Sequence, residues 1–223
     1  RELLEVVRRA PGLADAHDLL GRILVETGPG GRGLRHLEIA LELEPKLLRT
    51  MIDRARVQAL LGHFQEAERL LDETTKAGGN VAGTWALRCR ILAWQGDREK
   101  TEAAYHHPDV IAGRAGPAKL LLDVISGRLP FDAGQLFVGG MWGDGSSVRG
   151  RLFRHQLTTE FHCLDNDRDG ALRALARAVD TGLFDLGWLD RCKLLDSIRL
   201  DPRFRALRKI VAGRAAQVQE LLK

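Results

Sequence analysis

An all-α fold, a solenoid of stacked helical hairpins closed by a capping helix, is what this sequence predicts, and three observations lead to it. Gly28, Gly62 and Gly96 stand 34 residues apart, and Pro11 and Pro45 share that spacing. Hydrophobic residues on either side of those glycines recur at helical rather than alternating intervals. The C-terminal stretch carries an apolar stripe behind the helix-start pair Asp201-Pro202.

Aligned on the period, Gly21, Ala55 and Cys89 share one column and Gly33, Ala67 and Thr101 another. Both columns stay small, as two helices of a hairpin require where their backbones cross closely. The columns Leu20/Arg54/Arg88, Leu24/Gln58/Leu92 and Leu37/Leu71/Tyr105 are larger and fill the space between hairpins. The first hairpin is expected over 16–25 and 34–43, with Pro45 ending its second helix. The second is expected over 48–61 and 65–75, turning at Gly62-His63-Phe64. The third runs over 84–94, turns at Gln95-Gly96-Asp97 and ends near His106. Each turn glycine suits the left-handed residue that reverses a chain after a helix. Leu3, Val6 and Pro11 fall in second-helix columns, so the chain is expected to start inside a repeat and to derive from a longer polypeptide.

The period lapses between Val110 and Gly150, where glycine and proline cluster and one helix, 118–125, is expected. A helix from about 148 to 164, an acidic turn at 165–169 and a helix from 170 to 179 restore the hairpin. The domain division that follows is repeats over 1–108, an irregular connection over 109–147, and a degenerate hairpin plus capping helix over 148–223. In the cap, Asp201 is a good N-cap and Pro202 a good first helical residue. Phe204, Leu207, Ile210, Val211, Ala215, Val218 and Leu222 form its apolar face.

Leu20-Gly21, Ala40 and Pro45 in the first full unit resemble the tetratricopeptide repeat, a 34-residue helical hairpin. Gly62, Phe64 and Ala67 in the second unit, and Trp85, Gly96 and Tyr105 in the third, extend the likeness. The ending, from Gly182-Leu183-Phe184-Asp185-Leu186-Gly187-Trp188 to Asp201-Pro202-Arg203-Phe204, is similar to endings of such regions in large bacterial signalling proteins, serine/threonine kinases among them. The resemblance implies a right-handed solenoid whose first helices line a concave groove. It also implies a non-catalytic scaffolding or regulatory module that binds a protein or peptide segment there.

One residue past the small column of each first helix stand Arg22, Arg56 and Arg90. The resemblance turns this column toward the groove, with Trp94 beside it, as a stripe of guanidiniums suited to carboxylates or phosphates, which arginine binds bidentately. Two facts weigh against a functional stripe. Arginine supplies 27 of the 34 basic residues, so columns align by chance, and a helical pair such as Arg22 with Glu26 could neutralise part of it. Trp85, Trp142 and Trp188 read as wedges between hairpins.

Enzymatic signatures are absent: there is no phosphate-binding GxxxxGK[ST], no GxSxG and no HExxH. Asp185-Leu186-Gly187 echoes a kinase metal-binding triplet without its companion loop and reads as a turn, and the glycine-rich stretch Gly139–Ser147 lacks the last glycine of a nucleotide loop. Asp165 to Gly170 resembles half a calcium loop, but Ala176 holds the place of the closing glutamate. His155 and His162 lie two helical turns apart, too far to share an ion. No cofactor and no metal are therefore expected. With 34 basic against 30 acidic residues, a net charge of +4 announces no polyanion, and nucleic-acid binding through the arginine-rich surface is the alternative reading. With no leader pattern and no bilayer-length apolar run, the expected location is cytoplasmic, and Cys89, Cys163 and Cys192 are expected reduced and buried.

Overall fold

The computed structural model describes residues 2–28, 30–79, 81–116, 118–132 and 147–222. Among them the chain is all-helical, with thirteen α-helices, one 3-10 helix and no strand. The helices group into two compact units, one made of 1–79, 184–191 and 210–223, the other of 80–183 and 192–209.

In the first unit, α1 (Glu2–Arg9) precedes two hairpins, α2 (Ala14–Thr27) with α3 (Gly31–Leu43) and α4 (Leu48–Leu60) with α5 (Phe64–Lys76). The small columns do what their size suggests. A Cβ on Gly33 would lie 2.6 Å from the Val25 nitrogen and 2.7 Å from the Gly21 carbonyl oxygen, so α2 and α3 touch backbone to backbone. Ala55 and Ala67 make the equivalent crossing and are wholly buried. Gly62 turns the second hairpin in the left-handed region (φ +87°). In the first turn that duty falls to Gly30 (φ +92°), while Gly28 is extended and a Cβ on it would meet the Gln219 amide at 2.9 Å.

The second unit contains α6 (Val81–Gln95), α7 (Arg98–Tyr105), α8 (Pro108–Ile111), α9 (Ala118–Ile125), α10 (Val148–Leu164), α11 (Arg168–Asp180) and the 3-10 helix Lys193–Ser197. Here α10 and α11 pair as a hairpin. The turn between them is stabilised by Asp167, which accepts from the Gly170 amide at 2.8 Å and pairs with His162 at 3.0 Å. The third expected hairpin does not repeat the first two. Both α6 and α7 pack on α9, and Cys89, the third member of the small column, turns its thiol toward the Ala118 carbonyl oxygen. The physical reason is burial: α9 carries Leu121 and Leu122, both wholly buried, whereas the eight-residue α7 buries only Thr101. Consequently 80–108 packs with the segment that follows it, within the second unit. Trp142 and residues 139–146 of the glycine-rich loop lie outside the described residues.

Two late helices complete the set, α12 (Leu186–Arg191) and α13 (Pro202–Leu221). Asp201 accepts from the Arg203 amide at 2.8 Å and Pro202 opens α13. Phe204, Val211, Ala215 and Leu222 are buried, but Ile210, expected in the same stripe, is 47% exposed. In the first unit Leu222 and Val218 close over Leu20, Leu24 and the α1 residues Leu3, Leu4 and Val7. Val6 on α1 is exposed.

Two predictions follow from these contacts. Gly33→Ala forces a methyl against backbone that a side-chain shift cannot clear, and is expected to lower stability by about 1–3 kcal/mol in a thermal or urea melt. The second concerns the pair His17 and His36, whose Nδ1 atoms lie 3.0 Å apart while His17 Nε2 approaches the Pro11 carbonyl oxygen at 3.2 Å. Such a bond needs one protonated and one bare Nδ1. Burial, with His17, Arg32 and Arg35 nearby, holds His36 below its ordinary value of 6.5; burial likewise lowers His155 and His162. The unfolded chain therefore takes up more protons, and stability should be full above about pH 6.5 and fall as pH drops below it. A pH series of melting temperatures checks this, and His36→Gln should flatten the slope.

Candidate functional site

The arginine column is the site that the sequence nominates. In the structure each of its guanidiniums is paired with carboxylates of the chain itself.

In the first unit, Arg22 on α2 is 7% exposed. Its Nη2 lies 2.9 Å from Asp18, one helical turn earlier, and its Nε 3.6 Å from Asp53 on α4. Asp18 also accepts from the Thr50 hydroxyl on α4 at 2.8 Å. Asp18, one turn before it, is thus a helical partner of Arg22, and the network joins the two hairpins. One repeat on, Arg56 donates from Nη2 to Asp185 at 2.5 Å. Burial opposes its charge, but Asp185, Glu26 and Asp53 more than offset that and hold the guanidinium firmly protonated.

Asp185 lies 129 residues from Arg56 in sequence, immediately before α12. Its other oxygen accepts from the Trp188 amide at 2.9 Å and so starts α12, a short helix that packs on α2 and α4. A Cβ on Gly187 would stand 2.8 Å from the Val25 carbonyl oxygen, and Trp188 is wholly buried. As a result α2 is covered on most of its circumference, with Asp18, Arg22, Val25 and Glu26 all buried.

In the second unit, Arg90 on α6 donates to both oxygens of Glu160 on α10, at 2.9 and 2.6 Å. Both side chains are almost completely buried. The guanidinium also stands 5.1 Å from the ring centre of Trp94 and 5.4 Å from that of Phe153, a cation–π sandwich in a dry setting. Trp94 is itself 3% exposed, with its indole nitrogen buried and unpartnered. The residues expected to line an open groove are therefore engaged within the chain: Arg22 and Arg56 in ion pairs in the first unit, and in the second Arg90 in a buried pair with Glu160, its guanidinium over the Trp94 ring. Periodicity located the column, but it carried no information on Asp185 and Glu160, which lie far away in sequence. A signal was present in Asp185, a lone acid between Leu183-Phe184 and Leu186, since a carboxylate inside an apolar run calls for a buried partner.

The remaining polar candidates are accounted for locally. His107 accepts from the Asp109 amide through Nδ1 and packs edge-on to Trp85. Among the described residues no group of three His, Cys, Asp or Glu side chains could hold a metal ion. All three cysteines are buried thiols outside any disulfide, burial pushing the Cys163 thiol up to about 11 and the Cys192 thiol well above its ordinary value. A cavity of about 220 Å³ in the second unit is lined by Ala93, Gly96, Thr101, Ile125, Ser126 and Arg128 among others, and none of the column residues reaches it. Among the described residues no helix is long and apolar enough to cross a membrane. No protein-family model, no curated protein and no solved structure matches the chain.

Removing one partner of the Arg90–Glu160 pair strands a charge in the core. Glu160→Ala is expected to destabilise the chain by about 3–5 kcal/mol, whereas the double change Arg90→Met with Glu160→Leu should recover most of that loss. Denaturant melts of the two variants provide the check.

Proposed function

We propose that this chain is a non-catalytic protein-interaction module of helical hairpins, of the tetratricopeptide type with a right-handed course, that binds an acidic protein segment through the arginines of its first helices. Arg22 and Arg56 of the first unit are the recognition residues of this reading, and the module serves as the C-terminal scaffolding or regulatory part of a bacterial serine/threonine kinase or related signalling protein in the cytoplasm. The observation that carries this reading is the Arg56–Asp185 pair. A guanidinium on a first helix holds the carboxylate of a separate short segment that lies across α2 and α4, which is the geometry an acidic guest would adopt. A nucleic-acid reading draws no comparable support, because the column arginines face carboxylates and contribute little field to a phosphate backbone.

Asp185→Ser is the informative background for a test, since serine keeps an N-cap for α12 but withdraws the carboxylate from Arg56. In fluorescence anisotropy, a labelled acidic peptide should bind this variant and a basic peptide of equal length should not. Adding Arg56→Gln should weaken the acidic peptide about tenfold, equivalent to about 1.4 kcal/mol. Equal retention of the acidic and basic peptides by the folded variant would discard the reading. Retention of a single-stranded oligonucleotide with a steep salt dependence would replace it with the nucleic-acid alternative.

A further inference from the structure

Residues 184–191 form a complete recognition unit on a surface that a helical hairpin would otherwise leave open. Asp185 supplies the carboxylate for Arg56 and the N-cap for α12. At position 187 only glycine fits, because the next atom outward is the Val25 carbonyl oxygen. Trp188 delivers a large, wholly buried apolar group one helical turn after the acid. Charge, close approach and apolar anchor thus come from three residues within four positions. Asp185 meets this face at Arg56 of α4 and Gly187 meets it at Val25 of α2, and Trp188 lies on the short helix that packs against both.

From this juxtaposition we propose that the α2–α4 face is a binding site for segments of the form Asp-x-Gly-Trp, and that residues 185–188 occupy it in cis as a resident ligand that a partner segment of the same chemistry must displace. The inference rests on the acidic-guest reading above and specifies it, naming both the motif of the guest and the element that regulates access. A ligand held on the same chain competes at an effective concentration set by its connection, so a guest of equal intrinsic affinity binds the intact chain more weakly than one whose resident copy is released.

The probe is a labelled peptide copying residues 184–191. Its affinity is measured for the intact chain and for the Asp185→Ser chain, each shown to be folded by circular dichroism. Binding at least tenfold tighter to Asp185→Ser, lost when the peptide carries Asp185→Asn or Gly187→Val, is the expected result. Equal affinity for the two chains overturns the resident-ligand proposal while leaving the acidic-guest reading intact, and binding to neither removes both. A second readout needs no variant. Saturating peptide should speed hydrogen exchange at the amides of residues 186–191 in the intact chain about tenfold and leave α10 and α11 unchanged. Bound peptide with unchanged exchange at 186–191 places the guest elsewhere and overturns the proposal.

Discussion

A guanidinium taken out of water must keep a carboxylate beside it, and that requirement organises this protein more than any other single interaction. Its desolvation is expensive, and only close, well-oriented anionic partners offset it. Arg22, Arg56 and Arg90 recur in the same register of successive first helices, and each meets the requirement with a different donor of charge. For Arg22 it is Asp18 of the same helix with Asp53 of the next hairpin; for Arg56, Asp185 of the late segment; for Arg90, both oxygens of Glu160. The backbone repeats, but the carboxylates are recruited from wherever the chain passes. Arg56 thus acts as a socket for a late segment of its own polypeptide.

That socket needs a rigid frame, and the small-residue columns supply it. Gly21 and Gly33 bring α2 and α3 into backbone contact, and Ala55 and Ala67, both wholly buried, hold the same columns in the paired helices α4 and α5. Close crossing fixes the rotation of each first helix, which decides that position 22 or 56 faces away from its hairpin partner. Where the frame changes, the packing changes with it. Cys89 occupies the small column of α6, yet the helix it faces is α9, and α6 finds its carboxylate on α10. The register of the arginine survives the loss of the hairpin because it is set by the helix on which it lies.

Functionally, the contrast between the column arginines and the exposed ion pairs is instructive. Arg203 bridges Asp201 and Asp169 at the surface, where such pairs contribute little. The Arg56–Asp185 pair is largely withdrawn from solvent, and it docks a segment that also brings a glycine and a tryptophan to defined places. A face able to accept that combination from its own chain has the chemistry to accept it from another.

The helices, the first two hairpins, the close approach at Gly21 and Gly33, the start of α13 at Asp201-Pro202 and the helix on which each arginine lies were legible in the sequence, because each depends on residues within about one turn or one hairpin of each other and on steric size. The isolated helix at 118–125 was legible for the same reason, its short apolar run being bounded by glycine and proline. The partners of Arg56 and Arg90, the exposure of Val6 and Ile210, and the pairing of α6 with α9 were decided by tertiary structure alone. They depend on which distant apolar surfaces close over one another, and burial is a property of the assembled chain. Local pattern says that a side chain carries charge and which way along its helix it points; only the folded neighbourhood determines whether water or Asp185 meets it there.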